Sequence, residues 1–231
     1  MKKDNNIELD YPFYKDVKIN ILDVLILAIV PILFTIYTFF PFEIPFGLSP
    51  YLFTFLQLGA FLIVAKGKIS LLIKKPNKRD ILRVFVTLIL QFVIAISLAL
   101  ILKYLFHIAT NENGVFELEM NVRFWIVIIV QLFGEELYKI LLFLAALIVS
   151  YKLTKKRILS IGIALTFSLT CFAFLHATTY NNIAQILLLQ GAASLCCMYN
   201  YLKTKNILTS YMQHLLFDAI PFVLSMLSIL N

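Results

Sequence analysis

The stretch FWIVIIVQLFGEELYKILLFLAALIV, residues 124–149, decides the fold of this chain. It exceeds the length of about 20 apolar residues that a helix needs to cross a bilayer. Glu135, Glu136 and Lys139 nevertheless lie near its middle. Because a charge inside lipid is costly, intramembrane charges are usually paired and functional. The stretch therefore predicts a membrane helix that carries a functional site.

The composition of the whole chain is typical of an integral membrane protein. Hydrophobic residues make up 61% of the 231 positions and charged residues only 14%. The formal net charge is +7, but the basic residues cluster between apolar stretches, so we expect no nucleic-acid partner. Cys171, Cys196 and Cys197 lack the spacing of a zinc site or a disulfide framework, and we expect buried free thiols.

Seven apolar stretches predict an all-α, polytopic membrane helix bundle with about seven transmembrane helices. The first stretch is expected to stay in the membrane, because no small-residue cleavage site follows it. We find no internal repeat and no long linker, so residues 1–231 are predicted to form one membrane domain. The predicted spans are 19–40, 51–66, 81–106, 124–151, 158–177, 183–202 and 207–230.

The basic residues predict the orientation of the bundle. With seven spans, 17 of the 20 lysines and arginines lie on one side, in the N-terminal tail and in the second, fourth and sixth connections. Positive loops usually face the cytoplasm. The opposite connections contain Glu43, Glu112, Glu117 and Glu119. We therefore predict an N-terminus inside and a C-terminus outside, in the plasma membrane of a bacterium.

Three further polar residues lie in the later spans. His176 lies at the end of the fifth span, and His214 lies four residues before Asp218 in the seventh, so that pair shares a helix face. Each could be a local packing or hydrogen-bonding residue, and the Glu–Lys spacing could be a structural salt bridge. Together, however, these residues could activate water and stabilise an oxyanion. Glu135, His176 and His214 could also hold zinc.

The motifs resemble those of the CPBP intramembrane proteases, which include the Rce1-like CAAX prenyl proteases and the bacterial Abi proteins. The family pattern is a double glutamate, then F-x-x-x-H, then H-x-x-x-N or H-x-x-x-D, each on its own helix. Here the motifs read EELYK (135–139), FAFLH (172–176) and HLLFD (214–218), and the resemblance covers residues 124–231. The family's first motif commonly ends in arginine at the position of Ile140. The sequence E-E-x-x-K resembles the first motif of the related PrsW proteases.

The resemblance implies an intramembrane endopeptidase that cleaves a membrane-embedded or lipidated peptide. It implies that Glu135 is the general base, that His176 binds the water and that Glu136 orients the site. His214 and Asp218 would stabilise the oxyanion, with the neighbouring carboxylate holding one tautomer of the imidazole. No cofactor is expected because no third histidine or cysteine joins the cluster, and zinc is the alternative.

Two other functions stay open from the sequence. A catalytically inactive binding or bacteriocin-immunity protein could keep the same fold, and intramembrane Glu, His and Asp also line the ion paths of transporters. The predicted spans also raise a geometric problem. His214 lies only about 10 Å along its helix from the inner connection, whereas Glu135 and His176 lie deeper. Either the last span begins deeper than predicted, or the TTYNN segment (178–182) dips into a cavity.

Overall fold

A computed structural model describes residues 10–16, 18–44, 47–111 and 120–229 of the chain. Helix makes up 79% of the structure and no strand occurs among the described residues, which confirms the all-α class. The α-helices are α1 (Ile21–Phe39), α2 (Ser49–Val64), α3 (Lys78–Tyr104), α4 (Val122–Thr154), α5 (Arg157–Leu175), α6 (Ala177–Tyr180), α7 (Ile183–Gln185), α8 (Leu195–Thr204) and α9 (Ile207–Ile229). A π-helix (Ile186–Ala192) follows α7 directly and leads towards α8.

The predicted spans all coincide with helical segments, and their boundaries differ by three residues or fewer. Five segments are long and apolar enough to cross a membrane: 21–39, 78–104, 157–175, 183–204 and 207–227. Helix α2 is shorter, with 16 residues, and α4 is longer, with 33. The protein is thus a polytopic helical membrane protein. The number seven and the orientation stay predictions, and Glu112, Glu117 and Glu119 lie outside the described residues.

Helix α4 lies at the centre of the bundle and packs against α1, α2, α5 and α9. Every residue from 134 to 145 is buried, which covers more than three helical turns and all faces of the helix. The outer helices instead expose large apolar side chains, such as Ile21 on α1 and Leu82 on α3. Glu135, Glu136 and Lys139 of α4 therefore lie in the protein interior and do not face lipid.

Asparagine residues define where three of the helices begin. Asn20 and Asp23 form a capping box at α1, and Asn77 and Asp80 form another at α3. The side chain of Asn121 accepts a hydrogen bond from the first turn of α4. Such caps satisfy backbone N–H groups and are typically worth about 1 kcal/mol each.

Helix α9 begins well inside the bundle. The Asn206 side chain exchanges hydrogen bonds of 3.1 and 2.8 Å with the backbone of Lys74, in the connection between α2 and α3. Just before this turn, the ring of Tyr201 packs against that of Phe143 on α4, with centroids 6.1 Å apart. The start of α9 is therefore nearly level with residue 143, and not with the end of α4 at residue 154.

This depth solves the geometric problem that the predicted spans raise. Glu135 lies eight residues from Phe143 along α4, and His214 lies seven residues after the start of α9. At 1.5 Å per residue, both are about 11 Å above that level. The first of the two alternatives, a last span that begins deeper, is thus the one the structure supports.

The N-terminal segment (residues 10–16) fills the space beneath the start of α9. Tyr11 and Tyr14 are buried, and the Tyr11 hydroxyl donates to the carbonyl of Leu202 at 3.1 Å. Asp10 pairs with Lys15 and with Arg157, the first residue of α5. The sequence predicts an orientation signal in this tail and does not predict the packing of its tyrosines.

Candidate active site

Helix α2 holds α4 in place immediately before the paired glutamates. Thr54 on α2 occupies the space that a side chain at Gly134 would need, and its hydroxyl donates to the Val130 carbonyl at 3.1 Å. Gln57 donates to the Gly134 carbonyl at 3.2 Å. The missing side chain of Gly134 therefore lets the two helices approach closely, beside the first catalytic candidate.

Glu136 is the fully buried member of the pair. One of its carboxylate oxygens accepts a hydrogen bond from the Ser210 hydroxyl on α9, and the other forms an ion pair with Lys139. Glu136 and Lys139 both have no exposed side-chain surface. A buried charge requires such a partner, since leaving one of two paired charges alone is strongly destabilising. The positions of the three residues on the helix would allow Lys139 to pair with either glutamate, and in the structure it pairs with Glu136.

His214 links both glutamates to α9. Its Nδ1 lies 2.8 Å from Glu136 Oε1, whereas its Nε2 lies 3.9 Å from Glu135 Oε2 and 3.8 Å from Asp218 Oδ2. A carboxylate accepts hydrogen bonds, so Nδ1 carries the proton that faces Glu136. The sequence analysis expected Asp218 to orient this ring. Glu136 makes the closer contact, and Asp218 stands beyond hydrogen-bond distance.

Glu135 points to a different neighbourhood from Glu136, because adjacent helical residues do not share a face. Its Oε1 accepts a hydrogen bond from Gln131 Nε2 at 3.1 Å, one turn earlier on α4. Its Oε2 faces Nε2 of His214. Sequence reasoning missed Gln131, although a glutamine four residues before a buried glutamate is a readable signal.

His176 lies at the carboxyl end of α5, where the helix ends. Its Nδ1 lies 3.0 Å from the Phe172 carbonyl, which can only accept, so the other nitrogen is left as the acceptor. The ring of Tyr180 stacks on His176 at a centroid distance of 6.2 Å. These contacts hold one tautomer and one orientation of the imidazole.

The ring of Phe172 is the common neighbour of the charged groups. Lys139 Nζ lies 4.3 Å from its centroid, and the rings of His176 and His214 lie at 4.8 and 6.1 Å. A cation over an aromatic face is attracted to it, more strongly away from water. The phenylalanine of the second motif thus packs against the lysine and both histidines.

One cavity of about 300 Å³ joins the predicted site residues. Glu135, His176, His214 and Asp218 all line it, whereas Glu136 is sealed behind them. Further polar groups reach it from Gln91 on α3, Gln131 on α4, and Gln190 and Ser194 near the π-helix. The site therefore combines residues from α3, α4, α5, α9 and the segment that contains the π-helix.

A buried amide network supports the cavity from the α3 side. Gln213, the neighbour of His214, donates to Gln91 Oε1 at 2.7 Å and accepts from the Thr87 hydroxyl at 2.8 Å. Asn200 on α8 donates to both Thr87 and Gln213, and Cys197 lies 3.4 Å from Gln91. The sequence analysis missed this network, because its members are far apart in the chain. Cys196 and Cys197 are buried and free as predicted, and Cys171 is free and half-buried.

The donor atoms of the site decide whether it could hold a metal ion. Among the residues that the structure describes, no group of three or more His, Cys, Asp or Glu side chains is arranged to hold a metal. The Nδ1 atoms of His176 and His214 contact the Phe172 carbonyl and Glu136, so Nε2 is the nitrogen that each ring could offer to a metal. In this arrangement of the described residues, Glu135, His176 and His214 are not gathered into a ligand group.

The fold and the site define a polytopic membrane protein with a buried cluster of glutamates and histidines at one cavity. Residues 118–220 match the family model of the type II CAAX prenyl endopeptidases, Rce1-like. The matched region contains all three motifs, and the resemblance that they predict is confirmed. No curated protein and no solved structure matches the chain.

The departure from the family pattern has a structural explanation. Ile140, at the position of the usual arginine, is fully buried in the apolar core. Lys139 supplies the cation one residue earlier, and it contacts both Glu136 and the ring of Phe172. A positive charge is thus present beside the second glutamate, from a neighbouring helical position.

Proposed function

We propose that the protein is an intramembrane endopeptidase in which Glu135 activates water against a peptide bond of a membrane-embedded or lipidated peptide. The observation that carries this proposal is the shared cavity. Glu135, His176, His214 and Asp218 line one space, while Glu136, which contacts the His214 ring, lies outside it. The proposed setting is a bacterial plasma membrane.

In the proposed first step, water binds between the Glu135 carboxylate and the acceptor nitrogen of His176. Glu135 takes a proton from the water, and the resulting hydroxide attacks the carbonyl carbon of the substrate. The C=O electrons move onto oxygen and form a tetrahedral oxyanion. A doubly protonated His214 would donate from Nδ1 to Glu136 and from Nε2 to this oxyanion, which is the stabilisation that such intermediates need.

In the second step, the oxyanion electrons re-form the C=O bond, the C–N bond breaks and Glu135 returns its proton to the leaving amine. The products are one new carboxylic acid and one new amine, so a single water is consumed, and the acid then passes its proton to the amine or to solvent. Glu136, Lys139 and Ser210 take no proton in this scheme. Their fully buried contacts support a positioning role, in which they hold the His214 ring.

The test is cleavage of a panel of fluorogenic membrane peptides by the purified protein in detergent. Glu135→Gln keeps the size of the side chain and removes its basicity, and His176→Ala removes the water ligand. Both should abolish cleavage, whereas Glu43→Gln, at an exposed position before α2, should leave it unchanged. Retained cleavage in Glu135→Gln would contradict the proposed mechanism.

Two further measurements separate the alternatives. Loss of cleavage on addition of a chelator, with recovery on addition of zinc, would assign a metalloprotease instead of a glutamate mechanism. If Glu135→Gln keeps a biological activity of the wild type while no peptide is cleaved by either, the chain is a binding or immunity protein. Uptake of ions into liposomes would point to a transporter.

A further inference from the structure

The cavity has a buried floor and an exposed rim at one end. Its floor contains Glu135, Phe172 and His214, each almost fully buried. Its rim contains Thr179, which is exposed and lies just after the carboxyl end of α5. The cavity therefore opens towards the end of the bundle where α5 ends.

The wall residues along α4 and α9 lie on the same side of the site. From α4 they are Ile128, Gln131 and Leu132, which come before Glu135 and so lie towards the amino end of that helix. From α9 the cavity is lined by Phe217, Asp218, Pro221 and Phe222, which come after His214. The amino end of α4 and the carboxyl end of α9 lie at the same end of an antiparallel pair, which is the end of the rim.

The opposite end of the bundle is closed beneath the floor. Lys139, Leu142 and Phe143 follow the glutamates along α4 and are all buried. Tyr201 and Tyr11 continue this layer, with ring centroids 5.3 to 6.4 Å apart where they meet Phe143 and each other. This layer of described residues separates Glu135 from the opposite end of the bundle.

The closed end is also the basic end. The N-terminal tail and residues 66–83, 152–157 and 203–205 hold 17 of the 20 lysines and arginines, and those that the structure describes lie on the side of the packed layer. The open end carries no comparable basic cluster in the sequence. By the rule that positive loops face the cytoplasm, the rim faces away from the cytoplasm.

We infer that substrates reach the active site from the extracytoplasmic side of the membrane, so that this protease acts on the outer part of membrane peptides or on exported lipidated peptides. The inference rests on the proposed function, since it concerns the substrate of the same site. It does not depend on which residue activates the water. A substrate whose scissile bond lies in the cytoplasm cannot reach Glu135 by this route.

The depth of the site adds a requirement on substrate conformation. Ile128 lies seven residues before Glu135, so the carboxylate is about 10 Å below this part of the wall. An extended chain covers about 3.5 Å per residue, so about three residues must enter in extended form. The upper wall is apolar and aromatic, with Ile128, Phe217 and Phe222, while the floor is polar. The preferred substrate is therefore an unwound segment with apolar side chains near the scissile bond.

The side of entry can be measured without any substrate. Thr179→Cys places a thiol on the rim, and Lys68→Cys places one at an exposed position of the basic end. Each variant is expressed in the native-cysteine background and treated with a membrane-impermeant maleimide in intact spheroplasts and after permeabilisation. The wild type gives the background level of maleimide labelling, because its own cysteines are buried or half-buried.

We expect Thr179→Cys to be labelled in intact spheroplasts and Lys68→Cys to be labelled only after permeabilisation. No label on Thr179→Cys in intact spheroplasts, or label on Lys68→Cys there, overturns the inference. The maleimide on Thr179→Cys should also abolish peptide cleavage, whereas the same adduct on Lys68→Cys should not. The labelling pattern is independent of Glu135, so a failure of the entry side and a failure of the proposed chemistry give different results.

Discussion

A side chain at Gly134 should damage both the stability and the activity of the protein. A Cβ built on Gly134 overlaps Thr54 Oγ1 and lies 3.3 Å from Thr54 Cβ. Thr54 is buried and its hydroxyl is bonded to the Val130 carbonyl, so it cannot swing away without losing that hydrogen bond. Gly134→Ala must therefore push α2 away from α4.

The expected loss follows from two opposing effects. Alanine is favoured over glycine inside a helix by about 1 kcal/mol, whereas overpacking a tight contact costs about 1–3 kcal/mol. We therefore expect a net decrease of up to about 2 kcal/mol in the free energy of unfolding. Glu135 is the next residue, and a shift of about 1 Å in a catalytic group can lower the rate about 100-fold.

The assay combines thermal unfolding in detergent with the rate of peptide cleavage. Gly162→Ala is the matched control, because its Cβ on α5 meets no atom within 4 Å. We expect this control to be as active as the wild type and at least as stable. Adding Thr54→Ala to Gly134→Ala removes the overlapping oxygen and should recover part of both losses.

The reasoning is refuted if Gly134→Ala matches Gly162→Ala in unfolding temperature and in cleavage rate. It is also refuted if Thr54→Ala makes the Gly134→Ala variant worse. Either result would mean that the contact between α2 and α4 does not position Glu135.

Three other predictions concern stability. Lys139→Met leaves the buried Glu136 without its cation and should lower the free energy of unfolding by about 3–5 kcal/mol. The double variant Lys139→Met with Glu136→Gln should unfold at a higher temperature than Lys139→Met alone. Equal unfolding temperatures would contradict the pairing. Tyr201→Phe removes a buried hydroxyl that has no hydrogen-bond partner among the described residues, and it should raise the unfolding temperature or leave it unchanged. Tyr138→Phe instead removes a hydroxyl bonded to a threonine at 2.8 Å and should lower the unfolding temperature. Burial raises the pKa of Asp10, but hydrogen bonds from a lysine, a tyrosine and an arginine outweigh it and hold that pKa below its usual value. The stabilisation by the Asp10 carboxylate is then present above a pH of about 4 and lost as the pH falls. The difference in unfolding temperature between wild type and Asp10→Asn should therefore shrink in acid. A difference that does not change with pH would contradict a stabilising role for the charged carboxylate.

The positions of the helices could be predicted because hydropathy acts locally. Each span is long or apolar enough to be read from a single window of sequence, and the observed ends differ by three residues or fewer. The end of a helix is also set by local groups, such as Asn77 and Asp80 at α3. The relative depth of helices is different, because it depends on what lies between them. The deep start of α9 depends on Asn206 and Lys74, which are 132 positions apart.

The candidate site could be predicted in its charged members but not in its neutral ones. A glutamate or histidine inside an apolar run is conspicuous, because it is expensive there. A glutamine such as Gln91 costs less and stands alone in α3, so nothing in its surroundings indicates that it meets Gln213 from α9. The π-helix (Ile186–Ala192) was also missed, since its sequence ILLLQGA reads as an ordinary apolar helix. Only the packed bundle brings these elements to one cavity.

The two adjacent glutamates differ in chemistry because one step along a helix gives them different neighbours. Both oxygens of Glu136 face polar partners, in Ser210, Lys139 and His214, and its side chain has no exposed surface. Glu135 has one oxygen fixed by Gln131, and it lines the cavity. A general base must reach the proton that it abstracts, and this requirement favours Glu135 for the proposed role. In the proposed mechanism Glu136 is then a positioning residue, because it contacts the His214 ring whose Nε2 lies between Glu135 and Asp218. Exchanging the two roles would require α4 to rotate by about 100°, the angle of one residue, which would place the charge of Lys139 against a different helix.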